Sequence, residues 1–369
     1  MSAPDPRVLP LLAPGQVPAT QTLVTLLSRA GVSVPLRVVP GGHRKSSRDS
    51  VHTHEIQVSV LPPEDQPRLD LGEPGSAIVA RSGIRVGRSW VWAPQGVGRI
   101  QPNPTRDRSG AWALTARSWE SVIADCDLLV DVTVRGSALD ALARLIGAAC
   151  PGVSMVADVE DVQLPATRLE CGQAGSRWAA VEQVSTACGW VVRCDLSGAF
   201  RVRARSLAST VTAPDWAALR TASDDGARGS REPGANVVVV RDPSHEWWGI
   251  ALDDRPGSPT YVGADVVAAA SLARTRGLNA VPRTAGLVCR VEDVDGIGSD
   301  AQAAQAAQGL LAGGLVGPRS LSVAVSWQPW ADVDDRPLIT GRGDDPVLGL
   351  VTSVDVPLDG GEMRMEVSA

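Results

Sequence analysis

Four histidines, a short acidic run and scattered carboxylates are the first groups in this 369-residue chain whose spacing suggests chemistry. His43, His52, His54 and Glu55 come nearest to a metal cluster. The H-x-H spacing would set His52 and His54 on one face of a strand. The segment around them reads as a loop, however, and nothing nearby would orient the imidazoles, so solvated surface histidines are expected. His245, next to Glu246 and the pair Trp247-Trp248, reads as a rim or packing residue rather than a base. Asp293-Val294-Asp295-Gly296 has the opening of a calcium loop but lacks the carboxylate needed at its twelfth position. These acids more simply lead into a helix. There is no G-x-S-x-G elbow and no phosphate-cradling P-loop, and Lys45, the only lysine, could not serve one. Carboxylates are plentiful, but no pair stands out for glycoside hydrolysis. Arg342-Gly343-Asp344 reads as a polar turn. No catalytic, cofactor-binding or metal-ligating residue is assigned, and the chain is expected to act without catalysis or cofactor.

Composition narrows the classes further. A net charge of -6 gives no basic excess for gripping nucleic acid, and a mildly acidic protein repels DNA. Eleven tryptophans stand against one tyrosine and one phenylalanine. Trp90 and Trp92 would share a strand face, Trp247 and Trp248 would face opposite sides, and Trp327 and Trp330 flank a proline. Exposed tryptophans could bind sugars or build subunit interfaces, but core packing is the expectation for most. The six cysteines form no C-x-x-C pair and no zinc spacing, so they read as small buried residues of a protein made in a reducing cytosol. No signal peptide and no apolar run of membrane-spanning length is evident. A soluble protein of the producing cell's cytoplasm is expected, unless assembly or lysis carries it out.

The elements that would position these residues fall into three zones. The first is rich in strands: 32–39 and 55–61, with a polar turn over 41–50 between them. A hairpin follows at 77–86 and 89–93 around Gly87, then another at 97–101 and 111–117. This spacing suggests a barrel or sandwich. After Val134 the period changes. Ser137 and Asp140 make a capping box for a helix that Pro151 stops. A second helix begins near Ser176, with Trp178, Val181, Val184 and Cys188 on one face, and Gly189 ends it. A strand pair follows around the turn Asp195–Gly198. Residues 222–235 read as a linker, and 236–241 as a buried strand paired with 249–253. Ser299 and Gln302 cap an alanine-rich helix ending at Gly313-Gly314. Residues 321–327 form an alternating strand, and 347–356 with 363–367 a final hairpin.

Three stretches, in this order, resemble the baseplate-hub and minor tail proteins of bacteriophages, especially phages of high-GC actinobacteria. The first is WVWAPQGVGRI, a polar turn, and AWALTAR, with P-x-G-x-x-x-I read as a turn. The second is the helix-strand-turn-strand run RWAAVEQVSTACGWVVRCDLSGAFRVRAR. The third comprises NVVVVRD, DDRPGSPTYVG, the capped helix and VLGLVTSVDVPLDGGEMRMEV. The resemblance implies a β-rich α+β fold, with two tail-tube-like β-barrel domains (1–135 and 206–369, the latter with a helix near 300–313) and an inserted small α/β domain (136–205). It implies a homo-oligomer, a trimeric ring adapting six-fold tube symmetry to three-fold tip symmetry, located in the virion tail tip. Its partners would be distal tail or tail-tube proteins above and tip or fibre proteins below, with the tape-measure protein and transiting DNA in the lumen and no sequence-specific DNA contact. A contractile injection particle would fit the same resemblance. The alternative from another class is a tail-associated carbohydrate-active or glycan-binding protein.

Overall fold

Apolar and polar residues alternate through much of the first 117 residues, and the computed structural model folds them into seven antiparallel strands. These are β1 (Thr20–Leu27), β2 (Ser33–Ser47), β3 (His54–Leu61), β4 (Ala77–Val86), β5 (Ser89–Ile100), β6 (Thr105–Arg106) and β7 (Trp112–Arg117). The structure describes residues 7–8, 11, 18–205, 215–221, 228–229, 235–253, 289–314, 319–340 and 347–368, with short gaps at 30, 49, 65–70, 72, 74, 109 and 172–175. Six strands pair in the order β1-β4-β5-β7-β3-β2, and β2 pairs back onto β1, so the sheet closes into a barrel. Closure removes every free edge. Val24, Leu26, Ile56, Val58, Ile78 and Leu114 fill the interior.

Two expected turns are strand instead. Residues 41–50 do not break the chain between two strands; β2 continues to Ser47. Gly41, at φ +104°, and a register shift between Val39 and His43 make a bulge that bends the strand without ending it. Beyond the bulge the inward positions are Arg44 and Ser46, so the hydrophobic alternation that marks a strand disappears from the sequence. Likewise the P-x-G-x-x-x-I segment is not a turn. β5 runs unbroken through it, with a bulge opposite Ala80 and Arg81 and with Gly96 at φ +133°. The bulged residue, Gln95, is buried and donates to the Pro329 carbonyl at 2.8 Å.

The next segment forms α1 (Glu120–Ala124), β8 (Val132–Ser137), α2 (Ala138–Ala149), β9 (Met155–Ala157), β10 (Gln163–Leu169), α3 (Arg177–Ala187), β11 (Trp190–Cys194) and β12 (Phe200–Ala204). Both helices start where their caps predict. Ser137 Oγ accepts from the Asp140 amide at 3.0 Å, and Ser176 Oγ from Ala179 at 3.1 Å. Gly189, at φ +67°, ends the second. β11 and β12 form the expected hairpin, and β9, unrecognised in the sequence, joins it in parallel. Trp178, Val181, Val184, Trp190 and Phe200 pack with Leu142 and Ile146 of α2 into one core.

β13 (Asp215–Thr221) and β14 (Arg228–Gly229) precede a second mixed layer: β15 (Val237–Asp242), β16 (Trp247–Leu252), β17 (Cys289–Asp293) and α4 (Asp300–Gly314). Ser299 Oγ caps α4 by accepting from Gln302 N at 3.2 Å, and Gln302 Nε2 donates to Ala187 O at 3.1 Å, tying this layer to α3. The helix is alanine-rich because it seats directly on backbone: a Cβ on Gly249 of β16 would lie 2.1 Å from Ala304 N. Gly249→Ala is expected to destabilise the protein by about 2 kcal/mol through overpacking, measured by urea unfolding. Most of the expected linker at 222–235, the tripeptide Arg342–Asp344 and all but the first residue of the 253–263 motif lie outside the described residues.

β18 (Arg319–Ser326), β19 (Leu338–Thr340), β20 (Val347–Leu348), β21 (Leu350–Pro357) and β22 (Glu362–Ser368) complete the chain. Past its bulge β2 pairs with β21, and the sheet continues β21-β22-β18-β13-β19-β20. The fold is thus β-rich α+β with one closed barrel. Among the described residues the second sheet does not close, so the second barrel expected from the sequence is not shown. The tip of the β21–β22 hairpin docks on the first barrel. Leu358 is buried in the barrel core, its amide donates to Gly42 O at 2.9 Å, and its carbonyl accepts from Thr22 Oγ1 at 2.9 Å and Ser82 Oγ at 2.7 Å. Leu358→Ala keeps those backbone bonds but opens a cavity. A loss of about 3 kcal/mol is expected in chemical denaturation.

Candidate functional site

The shared strand β2 makes one sheet of the barrel wall and the C-terminal hairpin. Residues directly opposite one another across strands share a face. The register places Arg117, Glu55, Lys45, Asp355 and Arg364 side by side across β7, β3, β2, β21 and β22. Each is exposed or half-buried, while its strand neighbours point inward. The charges alternate in sign along the row. Arg117 Nε donates to Glu55 Oε2 at 2.9 Å. The outer face of this wall therefore carries formal charge without a large net field.

Beneath the wall lies a buried polar joint. Arg44 of β2 has no exposed surface, and its guanidinium donates to the Ala331 carbonyl. Burial pushes its pKa down, and the nearby Asp332 and Asp335 partly offset this. His54 of β3 is equally buried. Its Nδ1 is 2.9 Å from Ser46 Oγ and 3.6 Å from Asp332 Oδ1, and its Nε2 is 3.0 Å from Cys194 O. Glu120 of α1 accepts from Thr53 Oγ1 and from Cys194 N, both at 2.7 Å. Asp335 accepts from Asp332 N at 2.8 Å, and burial, with the Asp332 charge beside it, lifts its carboxyl to about 7. The barrel, the mixed lobe and the 327–336 loop thus meet through hydrogen bonds that a hydrophobic seam could not direct. Such a network fixes one relative orientation.

A cleft of about 440 Å³ opens beside this joint, lined in part by Trp330 and five aspartates. Three of these are engaged by arginines: Asp195 with Arg201 at 3.0 Å, Asp158 with Arg203 at 3.3 Å, and Asp334 with both Arg48 and Arg193 at 3.3 Å. Their chemistry here is that of ion pairs fastening loops.

The other sequence candidates scatter. The expectation of solvated histidines fails for His54, which is a structural member of the joint. His43 and His52 are half-buried, and burial lowers the His52 pKa, with Arg117 adding to the shift. His245 sits at a surface turn, 3.2 Å from Asp242. Asp293 pairs with Arg241 at 2.8 Å, and the run after it leads into α4. No group of three or more potential metal ligands occurs among the described residues. Trp90 and Trp92 do share a face and stack at 5.9 Å. Trp178, Trp190, Trp327 and Trp330 are buried. Cys150, Cys188 and Cys194 are buried too, the first two thiols pushed by burial up to about 12; Cys171 and Cys289 are exposed, against expectation. No described helix is long and apolar enough to cross a membrane.

A closed barrel that shares a strand with a second sheet, with mixed α/β layers between them in the chain, is a fold this chain has in common with solved tail proteins. Three solved structures carry it over nearly the whole chain. The tail protein from Neisseria meningitidis MC58 aligns with a TM-score of 0.53 at 13% identity, covering 95% of this chain and 96% of its own. The 43 kDa tail protein of prophage MuSo2 from Shewanella oneidensis aligns at 0.54 and 10% identity, covering 94% and 98%. Prophage tail protein gp18 from Listeria monocytogenes EGD-e aligns at 0.53 and 9% identity, covering 94% of each. No family model matches the chain, and no curated protein matches it either.

Proposed function

We propose that this chain is a non-enzymatic structural subunit of a phage tail tip, a hub whose copies close into a ring. The observation that carries the reading is the continuous wall: one sheet spans the closed barrel and the C-terminal hairpin, with alternating charges across its outer face. Three copies, each supplying the closed barrel and a second, tube-like β lobe, would surround a bore and adapt six-fold tube to three-fold tip. A closed ring uses the same contact repeatedly and leaves no patch unpaired. Phosphates passing a wall of alternating charge meet no sustained attraction, so DNA slides rather than binds. Distal tail or tube proteins would dock above and tip or fibre proteins below, with the tape-measure protein in the lumen before ejection.

The test is assembly. Purified protein, alone and mixed with distal tail protein, should give a ring by electron microscopy and a trimer mass by light scattering. A monomer at all concentrations with no affinity for tail proteins would overturn the reading. Release of soluble sugars from host cell wall by the purified chain would favour a glycan-acting protein instead.

A further inference from the structure

A second, smaller cavity of about 130 Å³ shares Thr53 and Arg193 with the cleft beside the joint. Its lining comes from both lobes: Arg48 just beyond β2, Trp178 and Glu182 of α3, Arg193 of β11, and Arg205 just beyond β12. Three guanidiniums around so small a space repel one another. Two carboxylates answer them. Asp334 lies 3.3 Å from Arg48 Nε and 3.3 Å from Arg193 Nη1. Glu182 is already engaged, accepting from Trp178 Nε1 at 2.9 Å. Nη1 of Arg48 is buried with no hydrogen-bond partner, and Nη1 of Arg193, also buried, makes no hydrogen bond beyond its ion-pair approach to Asp334. Arg205 forms no ion pair among the described residues; burial and the charges of Arg193 and Arg48 push its pKa down, and Glu182 and Asp334 offset this only in part.

Buried donors without acceptors and cations without counter-charge are unfavourable, and a native protein rarely keeps them without a reason. An oxyanion supplies what is missing: negative charge, and several acceptor oxygens spaced for guanidinium forks. We propose that Arg48, Arg193 and Arg205 form a binding site for a small oxyanion, phosphate or carboxylate, seated between the barrel and the mixed lobe. The anion comes either from solution or from an acidic side chain of a second copy. In either case it braces the two lobes where the Asp334 ion pairs leave charge over.

Titration of the full chain with sodium phosphate, with chloride adjusted to hold ionic strength, tests the site by calorimetry and thermal melting. Saturable binding with a rise in melting temperature is expected. Arg205→Gln should weaken phosphate binding roughly tenfold or more. In chloride alone this variant should melt no lower than the parent, because it relieves repulsion, so misfolding is separable from loss of the site. Arg205→Lys, which keeps charge but loses the fork, should fall between them. If a neighbour's carboxylate fills the site, phosphate should instead reduce the mass of the self-assembled protein in light scattering, and Arg205→Gln should assemble less well. The proposal is overturned if phosphate neither binds saturably nor changes the assembled mass, or if Arg205→Gln binds it as the parent does.

Discussion

Glu120→Ala should destabilise the protein by about 4 kcal/mol and loosen the mixed lobe from the barrel. Glu120 has no exposed surface, and its Oε1 serves two donors from different parts of the fold: Thr53 before β3 and the Cys194 amide at the end of β11. Removing it strands both donors in a site closed to water, at roughly 1–3 kcal/mol each. The void left by the side chain adds to that. Glu120→Gln keeps the accepting oxygen and should lose only about 1 kcal/mol. Urea unfolding measures the totals. Amide exchange should show where the loss falls: in Glu120→Ala the β11–β12 hairpin should exchange sooner than the barrel strands. If that variant unfolds at the parent's urea midpoint, the joint does not hold the lobes together.

The three capped helices and the β11–β12 hairpin were legible in sequence because their signals are local; α1, which has no side-chain cap, was not. Ser137, Ser176 and Ser299 cap within three residues of themselves, and Gly189 and the Asp195–Gly198 turn act where they stand. The barrel was half legible. β3, β4 and β7 show the alternation of a half-buried strand, but the course of β2 and β5 through their bulges does not, since Pro40-Gly41-Gly42 and Pro94-Gln95-Gly96 look like turns. Closure depends on β1 pairing with both β2 and β4, a tertiary fact with no local mark. The joint was illegible for a related reason. Its members are polar residues at inward positions, where a pattern reading sees solvent. Thr53 and Cys194 lie 67 and 74 residues from the carboxylate that joins them. One signal was available: His54 keeps the period of Ile56, Val58 and Val60, and a histidine in step with three core residues belongs inside.

Asp335→Asn should change how stability depends on pH. In the folded protein the Asp335 carboxyl titrates near 7, raised from its ordinary 3.8 first by burial and then by Asp332; Arg44 and the Asp332 amide oppose the shift without cancelling it. Between those two pH values the native state holds a proton that the unfolded chain has released. Stability contributed by this group must therefore fall as pH rises from about 4 to 7, and the penalty is complete above 7. Its ceiling is about 4 kcal/mol, three units at 1.36 kcal/mol each, and relaxation of the loop will lower it. Asparagine cannot ionise, yet its carbonyl can still accept from Asp332 N, the bond Asp335 makes at 2.8 Å. His54 and Asp332 face the same space in both proteins, so the difference between variant and parent isolates Asp335. Urea unfolding at pH 4.5, 6 and 8 should give the smallest difference at the lowest pH, growing in favour of Asp335→Asn until it levels off. A difference that stays flat would mean Asp335 is ionised across that range and that burial does not lift its carboxyl in the folded protein.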